Sequence, residues 1–274
     1  MAVPEVEVAV VQDNSATVND DVIEAALADL YDAIDSIGPT ATDRDPSGGC
    51  LVFPPGRYYF HESISIQRHG IRLVGRGTRL VHSAEARSYA VAFLPASDSG
   101  VDEEVNIGSG IEGIEIWRAS PTWGPTPETS ANIGLLLKNC QSFVAQDVSV
   151  RNFTVGIKLL AETVNGVDAT CGYNRFHLRQ VLDNKVGVMA SAGDGSVRSN
   201  SFFGGHFEIT DDALQSEGLV TGSEPDSRHV LVLGEQCSDN SFFGVAFVGA
   251  PEVAVQHSAA EGRNQNTDIA AGRA

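Results

Sequence analysis

The sequence predicts an all-β chain wound into a parallel solenoid, with one amphipathic helix at its N-terminal end. Three observations carry this reading. One stretch alone has a helical apolar period, nearly all the rest consists of short apolar and β-branched runs, and two phrases recur at spacings that suit a coil.

The helix is expected over Thr17 to Gly38. Val22, Ile23, Ala26, Leu27, Leu30, Tyr31, Ile34 and Ile37 recur at steps of three and four and make one apolar face. Thr17 with Asp20 reads as a capping box with Asp in place of Glu, and Gly38-Pro39 ends the helix. A single helix with one apolar face must cover something.

After a turn-rich stretch to Gly48, strands are expected at Gly49 to Phe53, Ser63 to Ile66, Gly70 to Val74, Tyr89 to Phe93, Ile111 to Trp117 and Ile133 to Leu137. They continue at Phe143 to Val150, Val155 to Leu160, Val186 to Met189, Gly218 to Val220, His229 to Leu233 and Phe242 to Val248. Gly, Asn, Asp and Ser separate them, and no second helical period connects them.

The repeats suggest how the strands stack. Gly134 and Gly156 open two similar apolar phrases 22 residues apart, so one coil of about 22 residues is expected there. Asn200 to Gly204 and Asn240 to Gly244 both read NSFFG, with a weaker relative at Asn174 to Leu178, giving spacings of 26 and 40. The longer interval holds either two coils or one coil with a long loop around Thr221 to Arg228. Asn at a fixed place suits a left-handed corner and hydrogen bonding to the next coil, with the Phe residues stacked inside.

The helix, the Gly-rich gap and Gly49 to Tyr59 (GCLVFPPGRYY) together resemble the N-terminal signature of the pectate-lyase-like superfamily. Ile71 to Gly77 (IRLVGRG) is similar to that family's next phrase, and the likeness runs best over residues 17 to 160. It implies a right-handed parallel β-helix whose open end the helix covers, which removes an edge that could pair with other chains. The expected organisation is residues 1–38 as N-terminal segment and cap, 39–257 as β-helix, and 258–274 as a polar tail without core period.

Charge bounds the partners. The 36 Asp and Glu residues against 18 Lys and Arg give a net charge of −18, which repels phosphate backbones and anionic lipid. Nucleic-acid binding and membrane insertion are therefore not expected. Lys138, Lys158 and Lys185 are the only lysines, a bias that fits either a protein adapted to high salt or GC-rich codon usage. No apolar run reaches about 18 residues and no basic segment precedes one near the start, so neither a spanning helix nor a standard signal peptide is expected. Synthesis in the cytoplasm, followed by assembly into a virion or display on an extracellular surface, is the expected route.

Cys50, Cys140, Cys171 and Cys237 lie far apart without C-x-x-C spacing, and the expectation is small buried apolar residues. No metal site is expected. Calcium enters only because lyases of the superfamily use it.

The resemblance does not carry its hydrolases' chemistry with it. Those enzymes use N-T-D, D-D, G-H-G and R-I-K phrases in that order, whereas here Asp211-Asp212 precedes the Asn266 to Asp268 phrase, and Gly205-His206-Phe207 lacks its second glycine. An analogue of the lyases would draw on Asp168, Asp183, Glu208 and Asp211 with Arg175, Arg179 or His177. The best glycosidase-like group is Glu208 with Asp211 or Asp212, beside His206, because two carboxylates about 5 to 9 Å apart serve as acid and as base or nucleophile. Trp123, in the WGPTP loop, Trp117 and Tyr173 are the expected ligand contacts, since aromatic faces stack on sugar rings.

Two functions are weighed. One is a non-catalytic structural or receptor-binding β-helix module of a virus particle or surface appendage, a homotrimer that contacts host-surface glycans and other virion proteins. The other is a polysaccharide lyase or glycoside hydrolase acting on acidic polysaccharide.

Overall fold

A computed structural model describes residues 3–9, 19–37, 48–83, 89–95, 97–98, 101–102, 105–119, 132–164, 166, 168–209, 228–233, 236–249, 253–258 and 268–271. The chain is a parallel β-helix. Among the described residues the strands form three parallel sheets of eleven, seven and five members, here the long, lateral and narrow sheets. A small antiparallel pair, Ser97–Asp98 with Val101–Asp102, stands apart from them.

From Asn106 onward the coils pass through the narrow, the long and the lateral sheet in turn, one coil entering the long sheet as two short strands, Ser201–Phe203 and His206–Ile209. The coil made of Cys140–Gln141, Val144–Arg151 and Val155–Leu160 is typical, and the next repeats it as Thr170–Gly172, Arg175–Leu182 and Val186–Ser191. Corresponding residues stack directly, for instance Ala145 on Phe176 and Phe176 on Phe202. Inward positions are apolar because each faces the other sheets across a dry interior. Phe143, Phe176, Phe202 and Phe242 run through it as a ladder, the last three with ring centroids 4.4 and 4.5 Å apart.

The expected coil of 22 residues is present in the lateral sheet, where Ile133 pairs with Val155. The 40-residue interval resolves as one coil, because Phe202 pairs with Phe242 and Val197 with Cys237. The NSFFG phrases need a correction on two points. Strand alternation puts Phe202 and Phe242 inside but turns Phe203 and Phe243 outward. The left-handed corner is taken by the residue before each Asn, namely Tyr173, Ser199 and Asp239, while the Asn side chains point inward. There Asn174 Nδ2 donates to Asn200 Oδ1 and Asn200 Nδ2 to Asn240 Oδ1, both at 2.8 Å, so buried amides satisfy one another from coil to coil.

Helix α1 spans Asp20–Ile37 and buries Ile23, Ala26, Leu30 and Ile34 against the first coil, where Gly49 lies against Leu30. Asn19 precedes it and donates to the Tyr59 carbonyl, while the Asp20 carboxylate accepts the backbone N–H groups of His61 and Glu62. The expected capping partner Thr17 and the expected strand Gly218 to Val220 lie outside the described residues. A strand that the pattern did not reveal, Glu5–Glu7, extends the long sheet by pairing with Gly49–Phe53. At the other end Asp268–Ala271, in the polar tail, pairs with Ser241–Gly249.

Cys140, Cys171 and Cys237 occupy one inward row of the narrow sheet, all buried and all unoxidised. Burial pushes the thiols of Cys171 and Cys237 up to about 12, so they pack as small apolar groups. No helix among the described residues is long and apolar enough to cross a membrane.

Candidate functional site on the outer face of the long sheet

Many outward positions of the long sheet are charged, whereas those of the lateral sheet, such as Leu136, Val155 and Met189, are mostly apolar. The long-sheet strands carry eight of the 15 arginines of the chain, whereas the lateral-sheet strands contain no carboxylate at all. Strand register brings distant arginines and acids into contact.

Glu115 is the hub. Arg79, stacked beside it in the preceding coil, donates from Nε to Glu115 Oε2 at 2.8 Å, and Arg179 reaches Glu115 Oε1 from Nη1 at 3.1 Å. Arg179 also grips Asp147 with both arms, at 2.8 and 2.7 Å. That fork holds the Asp147 carboxyl below its ordinary range, and the carboxylate in turn raises the guanidinium. Asp147 takes part because it sits at a bulge with a left-handed backbone (φ 55°), which redirects its side chain from the plain alternation. Exposed pairs of this kind contribute at most about 1 kcal/mol each, so their main effect is to fix planar hydrogen-bonding groups in place.

Trp117 projects from the same strand as Glu115. The guanidinium of Arg79 lies 3.5 Å from its ring centroid and that of Arg151 5.0 Å, reaching it from the strands on either side. The indole is therefore in contact with guanidiniums from both neighbouring strands. Arg151 also pairs with the buried carboxylate of Asp183 at 3.0 Å, and the Asp183 N–H donates to the Glu208 carbonyl at 2.8 Å. Trp117, Arg151, Leu182 and Glu208 form one row across four strands.

At the far end of this row His206 Nε2 lies 3.0 Å from Glu208 Oε2, both side chains partly exposed. Of the expected group, His206 and Glu208 thus lie side by side on one strand, His206–Ile209. Asp211, Asp212 and Trp123 lie outside the described residues.

Of the wider set, Asp183 and Glu208 meet through the backbone bond above, and Asp211 lies outside the described residues. Asp168 lies before the narrow sheet, next to Thr163, and His177 stacks on Phe203 at 4.9 Å. Arg175 and Tyr173 stand at the corner of the narrow and long sheets, and Tyr173 is 51% exposed. Among the described residues no three His, Cys, Asp or Glu side chains cluster so as to hold a metal ion. Sequence reasoning missed Arg79, Glu115, Asp147 and Arg151. Their signal was alternation, since Glu115-Ile-Trp117 puts two outward groups on one strand, but naming their partners required the register.

No family model and no curated protein matches the chain. Among solved structures, its fold is similar to that of ORF18 of Geobacillus virus E2, at 16% identity and a TM-score of 0.52. That match covers 98% of this chain and 61% of the phage protein, so the chain spans about three fifths of its length. A proposed glycosyl hydrolase of Parabacteroides merdae matches at 14% identity and a TM-score of 0.42, over 97% of this chain and 96% of that one. The A-module of a mannuronan C-5 epimerase of Azotobacter vinelandii matches at 11% identity and a TM-score of 0.26, over 93% and 97%.

Proposed function

We propose that the chain is a non-catalytic parallel β-helix module of the pectate-lyase-like kind, carried on a virus particle or similar surface appendage, where it contacts host-surface glycans. The observation that carries this reading is the pairing on the outer face of the long sheet. Glu112, Glu115, Asp147 and Asp183 are each engaged by Arg72, Arg79, Arg179 or Arg151. A general acid needs an environment that favours its protonated form, and a cation at contact distance does the opposite. Fixed guanidinium and carboxylate groups on a rigid ladder suit the hydroxyl pairs of a sugar. The likeness in fold to a phage protein supports the virion setting, and association as a homotrimer through side-by-side packing is part of the proposal.

The second reading, a lyase or glycosidase on acidic polysaccharide, rests on the contact between His206 and Glu208. Incubation of the whole chain with a panel of surface polysaccharides separates the two. Binding without release of reducing ends or unsaturated uronates is expected, with Arg179→Gln weakening binding and Glu208→Gln leaving it intact. Product release that Glu208→Gln abolishes would overturn the non-catalytic reading. Light scattering is expected to give three times the 29.0 kDa chain mass, and a 29.0 kDa particle would remove the trimer.

A further inference from the structure

Five coils meet at the corner where the narrow sheet turns into the long sheet, and one residue of each adopts the left-handed backbone there. They are Gly108 (φ 72°), Ser142 (57°), Tyr173 (59°), Ser199 (57°) and Asp239 (55°). Register on the narrow sheet makes them equivalent positions. Glycine and short polar residues take this conformation readily, but a bulky aromatic rarely does. Tyr173 is therefore out of place by conformation, and burial does not account for it. The residue is 51% exposed, and its side chain makes no hydrogen bond or ring contact among the described residues. An outlier of this kind points from structure towards function.

The surroundings say what the ring would meet. Gly172, just before it, has no side chain, and a Cβ there would lie 2.5 Å from the Arg198 carbonyl oxygen. Gly172 is therefore pressed against the neighbouring strand and buried, between Gln141 and Arg198 in the outward row of the narrow sheet. Arg175 opens the long-sheet strand on the ring's other side. Arg175 and Arg198 are exposed and pair with no carboxylate among the described residues, unlike Arg72, Arg79, Arg151 and Arg179. Asp239, which follows Ser238, the register partner of Arg198, is the acid nearest in the ladder. Two uncommitted guanidiniums flanking a bare aromatic form a locally cationic spot in a chain of net charge −18.

We propose that this corner is a subsite for a carboxylate-bearing pyranose. The Tyr173 ring lies against the apolar face of the sugar, and Arg175 and Arg198 hold its carboxylate. The proposal takes the ligand class from the glycan-binding reading, but it places the contact at the edge of the narrow sheet, away from Trp117.

The test is titration of the whole chain with a hexuronate oligosaccharide and with the same oligosaccharide methyl-esterified. The free acid is expected to bind at least tenfold more tightly than the ester. Tyr173→Gly, which suits the left-handed backbone, is expected to weaken binding of the acid at least tenfold while the melting temperature stays level or rises. Arg198→Gln is expected to remove the preference for acid over ester. If the acid binds and Arg179→Gln weakens it while Tyr173→Gly does not, the subsite is wrong and the glycan-binding reading stands. If neither oligosaccharide nor any surface polysaccharide binds, both fall.

Discussion

Two aromatic ladders run along the long sheet one residue apart, and they obey different rules. The inner one, Phe176, Phe202 and Phe242, stacks nearly parallel with each ring no more than 2% exposed. The outer one, His177, Phe203 and Phe243, stacks at 4.9 and 5.3 Å with Phe243 43% exposed. Followed toward the N-terminus, the inner row stays apolar through Ala145, Ile111 and Leu73, while the outer row becomes Gln146, Glu112 and Val74. Backbone and register are shared, so the difference lies in what each row faces. Packing volume dictates the inner row at every coil, and water leaves the outer row free to change its chemistry along the axis.

The sharpest way to break this contrast is to remove one ring from each ladder. Phe202→Ala is expected to cost about 3 to 5 kcal/mol, because it opens a cavity in the dry interior, and Phe203→Ala about 1 kcal/mol. Denaturant titration measures both, and equal losses would end the distinction.

Histidines extend the comparison to protons. His82 is 2% exposed, its Nε2 contacts the His61 carbonyl at 3.2 Å, and burial lowers its pKa from 6.5 to about 4. The unfolded chain therefore takes up a proton below about pH 6.5 that the folded chain refuses until about pH 4. Stability is expected to fall through that window by about 3 kcal/mol in all and then level off, at about 1.4 kcal/mol per pH unit. His82→Phe is expected to flatten the slope across that window, and an unchanged slope would assign it to other groups.

The smallest effect concerns the outer surface as a whole. With a net charge of −18, screening relieves more repulsion than it removes from exposed pairs, so the melting temperature is expected to rise as sodium chloride is added from low ionic strength. A steady fall would mean that the arginine pairs of the long sheet dominate.

The parallel coil, the helix and most lateral-sheet strands were legible because they repeat one physical pattern. The apolar runs at Tyr89–Phe93 and Val155–Leu160 bury most of their residues, four in succession in the first and three in the second. The narrow sheet was not legible, since strands such as Cys140–Gln141 and Cys237–Ser238 are two residues long and have no period to detect. Of the site, His206 with Glu208 could be read from local spacing. The hub at Glu115 could not, because Arg179 is 64 residues away and meets it only once two coils are in register.

The coils are unequal in length. Along the long sheet, Ala145 to Phe176 takes 31 residues, Phe176 to Phe202 takes 26 and Phe202 to Phe242 takes 40, yet each pair stacks directly. The surplus residues of the longest coil enter between Ile209 and Arg228, after one strand and before the next. Such a scaffold separates the length of an excursion from the geometry of its anchors. Material can be inserted, trimmed or exchanged at that point while the coils above and below keep their alignment. Variation in length at that point would then leave the stacking of the coils unchanged.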